Sequence, residues 1–285
     1  MTVAVETLPS LPATAPLLTR AVLTARGRRG SEVPDRTLRV EDVRIDRHRL
    51  AAYQRLTGYA VSDTVPQPYP WVLAFPVQTA LMARPDFPLA LPGLVHLENR
   101  LTTHRAMDAA EPLTLDVTAG AITPHRRGRT LDVRLEARVS GELVWECDSV
   151  YLARGSGTED AARGESPPAL PDGPPAGVWR LADDLGRRYA AASGDVNPIH
   201  LHPLTARAMG FPRHIAHGMW TYARVLAALG RGSLGPSTSR VWFTKPVFLP
   251  STVELVRGRD GDTLVAGLRS RTEPHTAHVV VSLSA

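Results

Sequence analysis

Tyr189-Ala-Ala-Ala-Ser-Gly-Asp-Val-Asn-Pro-Ile-His200, with Ile215-Ala-His-Gly-Met219 downstream, is the stretch that decides how this chain reads. It sets a carboxylate, Asp195, and an imidazole, His200, five residues apart around an Asn-Pro turn. Pro is favoured at the first position of a helical turn and Asn as its cap, so Asn197-Pro198 predicts a turn that aims His200 toward Asp195. Gly218 follows a His at the head of an apolar run, residues 219–229, which stops at Gly230. Unpaired N–H groups and the helix dipole favour negative charge at such a helix head. A proton-transfer pair beside an oxyanion-binding N–H is what water addition to an activated double bond requires. The residues read as an enzyme, a hydratase or dehydratase of acyl thioesters.

Working outward, the motif lies in the second of two similar stretches. Residues 155–177 hold Pro167, Pro168, Pro171, Pro174 and Pro175 among Gly, Ser and acids, which predicts an exposed, partly extended linker. It separates a unit at 37–154 from one at 178–285; residues 1–36 read as a loosely ordered extension with a short helix near 17–25. In the second unit, helices at 181–192, 203–209 and 219–229 precede strands at 240–248, 252–257, 263–268 and 278–283. In the first, helices at 49–57 and 75–82 precede strands at 94–99, 113–117, 131–139 and 143–152. Leu131, Val133, Leu135, Ala137 and Val139 are apolar at every second place, as a sheet with one buried face demands. A central helix followed by an antiparallel meander, written twice, predicts a duplicated α+β unit. A helix at 219–229 whose only charge is Arg224 is expected to be buried almost all round.

The 285 residues are 43% hydrophobic and 21% charged, with mean hydropathy −0.12, which excludes a disordered or fibrous chain. No run approaches the ~18 apolar residues of a membrane span. The N-terminus lacks a basic region and an unbroken apolar core, so a cytoplasmic location is the default expectation. Cys147 is the single cysteine and reads as a packed thiol in an alternating strand. Of 33 basic residues only Lys245 is lysine, and the net charge is +5. The basic runs Arg26-Gly-Arg-Arg29 and His125-Arg-Arg-Gly-Arg129 are short and lack interleaved aromatics, so nucleic-acid binding is not expected. A mildly basic surface suits the phosphates of coenzyme A or an acidic carrier protein.

Together the two motif segments resemble the MaoC-like, (R)-specific enoyl-thioester hydratase family. The long stretch before them is similar to its double hot-dog members, in which a degenerate first hot-dog precedes a catalytic second one. Pro68-Tyr-Pro70, Gly93-Leu-Val-His-Leu-Glu-Asn99 and Lys245-Pro-Val-Phe-Leu-Pro250 look like the actinobacterial (3R)-hydroxyacyl-thioester dehydratases. The resemblance implies that Asp195 and His200 are catalytic and hold one water between them. It implies that the Gly218 N–H binds the thioester oxygen, with Asn197 beside the pair on the substrate side. The Ser that some relatives carry farther along the central helix has no counterpart in residues 223–227. The substrate implied is an acyl-CoA or acyl carrier protein thioester, with no cofactor, metal, membrane or nucleic-acid partner. The chain is then a monomer acting as an internal pseudo-dimer, or a homodimer.

Competing readings attach to several of these residues. His200, His202, His214 and His217 form an H-x-H…H-x-x-H set of the kind zinc uses, but it lies within the hydratase motif, and His202 and His214 read as surface residues. Gly218 also suits close helix–sheet packing. Lys245 reads as a solvated strand residue, and His96 and Glu98 as structural, with the first unit shaping an acyl tunnel. A thioesterase on the same fold, or a non-catalytic acyl-thioester-binding partner, are the alternatives to a hydro-lyase.

Overall fold

In the computed structural model, residues 4–25, 27–28, 30–161 and 164–284 are described. The chain runs β1 (Ala4–Leu8), α1 (Thr14–Leu23), β2 (Arg36–Val43), α2 (Arg47–Thr57), α3 (Tyr69–Met82), β3 (Leu94–Thr103), β4 (Leu113–His125), β5 (Gly128–Val139) and β6 (Glu142–Arg154). A second series follows: β7 (Gly177–Leu181), α4 (Leu185–Ser193), a 3-10 turn (Pro198–His200), α5 (Pro203–Ala208), α6 (Gly218–Leu229), β8 (Ser237–Phe243), β9 (Ser251–Asp260), β10 (Thr263–Ser270) and β11 (Ala277–Ser284).

All the strands join one sheet in the order β1-β2-β4-β5-β6-β3-β8-β11-β10-β9-β7. Its centre is the antiparallel pair β3 and β8, where Arg100 faces Arg240. Outward from that pair, β6, β5, β4 and β2 on one side match β11, β10, β9 and β7 on the other. The fold is therefore two hot-dog units back to back, α3 lying against β2, β4 and β5, and α6 against β10 and β11. The alternation read in β5 is used as expected: Leu131, Val133, Leu135 and Ala137 are fully buried. Cys147 is likewise a buried free thiol. Among the described residues no helix is long and apolar enough to cross a membrane.

Several local expectations are corrected. Residues 4–8 are not loose: β1 pairs in parallel with β2, and α1 buries Ala21. Arg28 reinforces this by donating to the carbonyls of Met82 at 3.0 Å and Ala83 at 3.2 Å, which are orphan acceptors at the end of α3. Arg26 and Arg29 of the first basic run lie outside the described residues. Strands β2 and β7 escape a reading that looks for long apolar alternation, because one is bulged after Val40 and the other is only five residues long. Helix α3 begins at Tyr69, six residues before the expected start: Pro70 occupies its first turn, where a missing N–H costs nothing, and Pro76 is accepted inside.

The Pro-rich stretch before β7 is strapped to the outer face of the second unit's strands. Leu170 packs on Trp242, Val265 and Val280, and the Glu165 carbonyl accepts from Trp242 Nε1 at 3.2 Å. Strand β8 ends at Phe243, earlier than expected. The following residues turn away and bond to the segment before α6, Ala216 N–H to the Val247 carbonyl at 2.8 Å and Leu249 N–H to the His214 carbonyl at 3.0 Å. That ladder fixes the start of α6.

Candidate active site

Helix α4 ends at Gly194, whose φ of 79° provides the left-handed cap that a side chain resists, and the chain turns sharply into Asp195. There the Asn197 N–H donates to Asp195 Oδ1 at 3.1 Å. Asn197 caps the 3-10 turn and Pro198 opens it, as the sequence predicted. The turn ends on His200, whose Nδ1 lies 2.8 Å from the Ile215 carbonyl. A carbonyl only accepts, so Nδ1 carries the proton and Nε2 is left with a lone pair.

Both groups are nearly out of water, the Asp195 side chain 13% exposed and His200 7%. Burial pushes the Asp195 carboxyl up to about 6, against a smaller pull downward from the Asn197 N–H. The same burial drives His200 down to about 4, partly opposed by the Ile215 carbonyl. At neutral pH the pair is a carboxylate beside a neutral imidazole, both able to accept a proton.

Only two of the four motif histidines enter the site. His202 is exposed and caps α5, accepting from the Leu204 N–H at 3.2 Å. His214 is buried, contrary to the sequence reading, because its Nε2 donates to the Asp183 carbonyl at 2.9 Å. His217 stacks on His200 with ring centroids 3.7 Å apart and donates from Nε2 to the Asp195 carbonyl at 3.0 Å. Asp195, His200 and His217 each bring one donor atom within 4.8 Å of the others. Two hydrogen bonds of about 2.8 Å at a tetrahedral angle span about 4.6 Å, so the separation suits a bridging water. It suits a metal poorly: the His217 nitrogen nearest the Asp195 carboxylate, Nε2, carries the proton given to the Asp195 carbonyl and has no lone pair for an ion, and stacked rings do not aim their lone pairs at one point.

Gly218 is the first residue of α6, with no side-chain cap from His217 before it. Its N–H has no carbonyl four residues back to donate to and stands at the positive end of the helix dipole. A Cβ here would lie 3.0 Å from Phe243 Cε1 and 3.2 Å from Cδ1, so the glycine also admits β8 against the helix. The two readings of Gly218 are compatible, since what packs the ring close also keeps the N–H approachable.

The first unit contributes a wall that sequence reading did not assign residue by residue. His96 stacks on Tyr151 at 4.5 Å and meets Phe243 at 5.0 Å. Its Nε2 bonds Asn99 Oδ1 at 2.8 Å, and Asn99 Nδ2 donates to Met219 Sδ at 3.1 Å, next to Gly218. Glu98 points elsewhere, into an ion pair with Arg240 across the β3–β8 seam. Lys245 is exposed and reaches only Thr276, at 3.4 Å.

The equivalent place in the first unit is filled. Helix α2 ends at Gly58 with φ 88°, as α4 ends at Gly194, but Tyr59 stands where Asp195 does, and Tyr69 heads α3 where Gly218 heads α6. Only a short loop joins α2 to α3, without a counterpart of the turn that carries His200.

The MaoC like domain family matches residues 179–278, which is the second unit. Over most of its length the chain is also 35% identical to 3-hydroxyacyl-thioester dehydratase X of Mycobacterium tuberculosis, across 90% of this chain and 92% of that one. The chain belongs to the MaoC-like family. A crystal structure of HtdX from Mycobacterium tuberculosis superposes on this MaoC-like chain with a TM-score of 0.77 and 33% identity, covering 88% of it and 100% of HtdX. A second Mycobacterium tuberculosis structure, described as a double hotdog fold, matches at TM-score 0.53 and 15% identity over 85% of this chain and 92% of its own, a likeness of fold alone. With its MaoC-like domain and its likeness to a relative named as a dehydratase, the chain is an enzyme of the hydro-lyase type. His217 is the residue of its motif that sequence reading weighed only as a zinc ligand; its place directly before Gly218 was the available signal.

Proposed function

We propose that this enzyme reversibly hydrates trans-2-enoyl thioesters and dehydrates (3R)-hydroxyacyl thioesters, carried on CoA or on acyl carrier protein. What supports the proposal is that Asp195 and His200 each bring one side-chain atom within 4.8 Å of the other, that the His200 Nδ1 proton is held by the Ile215 carbonyl, and that Gly218 opens α6 directly after His217. A water giving one hydrogen to the Asp195 carboxylate and the other to His200 Nε2 keeps its lone pairs free for C3 of the enoyl group. As the C3–O bond forms, the water proton passes to one of the two acceptors, and the π electrons move toward C2 and the thioester oxygen. Gly218 N–H donates to that oxygen as it gains charge, an interaction stronger in the transition state than in the ground state. Delivery of the same proton to C2 closes the reaction, so no outside acid is consumed. Asn197 serves by holding the Asp195 carboxylate and capping the turn beneath His200. Catalysis then belongs to the second unit, and the first closes the substrate's path. The thioester class follows a relative named as a 3-hydroxyacyl-thioester dehydratase, and the stereochemical outcome rests on the family resemblance of the motif.

The test is loss of the enoyl-thioester absorbance with crotonyl-CoA, a longer 2-enoyl-CoA and a 2-enoyl carrier protein, with the chirality of the product resolved. Turnover to the (3R)-hydroxyacyl thioester, abolished by Asp195→Asn and His200→Ala, is the expected result. Release of free thiol without hydration would replace this reading by a thioesterase, and binding without turnover of any substrate by an acyl-thioester-binding protein.

A further inference from the structure

Two rings occupy the space behind the proposed dyad. Tyr189, fully buried on α4, lies 4.8 Å from His217, and His217 in turn stacks on His200. His217 is 2% exposed and has two unlike nitrogens. Nε2 donates to the Asp195 carbonyl at 3.0 Å and sits 3.8 Å from the Asp195 carboxylate oxygen Oδ2. Nδ1 is buried without a hydrogen-bond partner among the described residues. An orphaned nitrogen in a dry interior costs stability, and a phenyl ring would fill the same space without the orphan. The imidazole therefore brings something that packing does not need.

We propose that His217 is a positioning residue: one N–H, on Nε2, holds Asp195 by its carbonyl and leans on its carboxylate, while the ring face stacks on the His200 imidazole and limits its tilt. The proposal rests on the hydratase reading above and assigns His217 no contact with substrate. The same residue ends the segment clamped to the residues after β8 and precedes Gly218, so one side chain ties both proton acceptors to the oxyanion donor. The groups facing Asp195 are His200, His217, Tyr189 and Tyr151; those facing His217 are Asp195, His200 and Tyr189. Burial and the neighbouring His200 keep the His217 imidazole well below its ordinary range, so it stays neutral through catalysis. A neutral donor beside Asp195 favours the carboxylate form, and its removal lets the Asp195 carboxyl rise further.

The experiment compares His217→Phe, which keeps the ring and loses the donor, with His217→Gln, whose amide nitrogen reaches the Nε2 position. Steady-state hydration is measured across pH 5–9, with Tm recorded for each variant. His217→Phe is expected to lose kcat by about 10–100-fold at nearly unchanged KM, the scale typical of outer-shell orienting residues. Its acidic limb of kcat/KM moves to higher pH while Tm does not fall. His217→Gln is expected to recover most of kcat and the wild-type limb. Full activity in His217→Phe would overturn the proposal, since packing alone would then suffice. So would a loss that His217→Gln does not repair and that leaves the limb in place. If His217→Phe does not fold, His217→Asn, whose amide reaches only the Nδ1 position, is read against His217→Gln by the same criteria. Activity surviving in Asp195→Asn or His200→Ala would instead strike the hydratase reading itself, so the two failures are told apart.

Discussion

Asp195→Asn should inactivate the enzyme and at the same time stabilise it at neutral pH. A carboxyl whose pKa is raised on folding binds its proton more tightly in the folded state, so its contribution is most favourable at low pH and is lost as pH climbs. Burial raises Asp195 from 3.8 to about 6, a difference of about 2 units. At 1.36 kcal/mol per unit, holding this carboxylate ionised costs at most about 3 kcal/mol at pH 7. The amide keeps an acceptor for the Asn197 N–H and carries no charge to desolvate. Its new N–H₂ faces the His217 donor, which offsets part of the gain, so about 1–2 kcal/mol remains. In a chain of this size that is a rise in Tm on the order of 5 °C. Urea unfolding of both proteins from pH 3.5 to 8 is the assay. The variant's advantage should be greatest above pH 7 and shrink steadily between pH 6 and 4. An Asp195→Asn protein no more stable than wild type at pH 8, or an advantage that does not depend on pH, would refute the reasoning that burial costs this carboxylate its charge.

Gly218→Ala and Gly218→Pro share the crowding of Phe243 that a Cβ introduces, but only Pro removes the N–H, and His217, with ψ 133°, already has the conformation that precedes proline. The kcat of Gly218→Pro should fall below that of Gly218→Ala by the value of one oxyanion donor, about 2.7–4 kcal/mol or 10²–10³-fold; equal rates would remove the donor role. In the wild-type enzyme, kcat/KM should decline as pH falls through about 6, where the Asp195 carboxyl takes up a proton, and a profile flat down to pH 5 would contradict that. Glu98→Gln should leave kcat within about twofold while Tm drops slightly, because Glu98 serves a partly exposed ion pair with Arg240. A large loss of kcat would return Glu98 to the chemistry.

The order of most elements and the nearness of Asp195 to His200 were legible because both rest on local rules. An Asn-Pro pair fixes a turn wherever it is placed, five residues fix how far His200 stands from Asp195, and alternation in 131–139 fixes which face of a strand is buried. The membership of the family was legible for the same reason, since its motif is nearly contiguous. Short edges such as β7 and the parallel strand β1 were not, because their only stabilising partner is another strand distant in sequence. Nor were the environments of the histidines. Four imidazoles look alike in a line of letters, yet one caps a helix, one bonds the Asp183 carbonyl, and two stack against each other. Burial, stacking and shifted protonation depend on what arrives from elsewhere in the chain. The sequence by itself determined which chemistry is available, and the closing of β8 and the residues after it upon the head of α6 decided which groups are buried together.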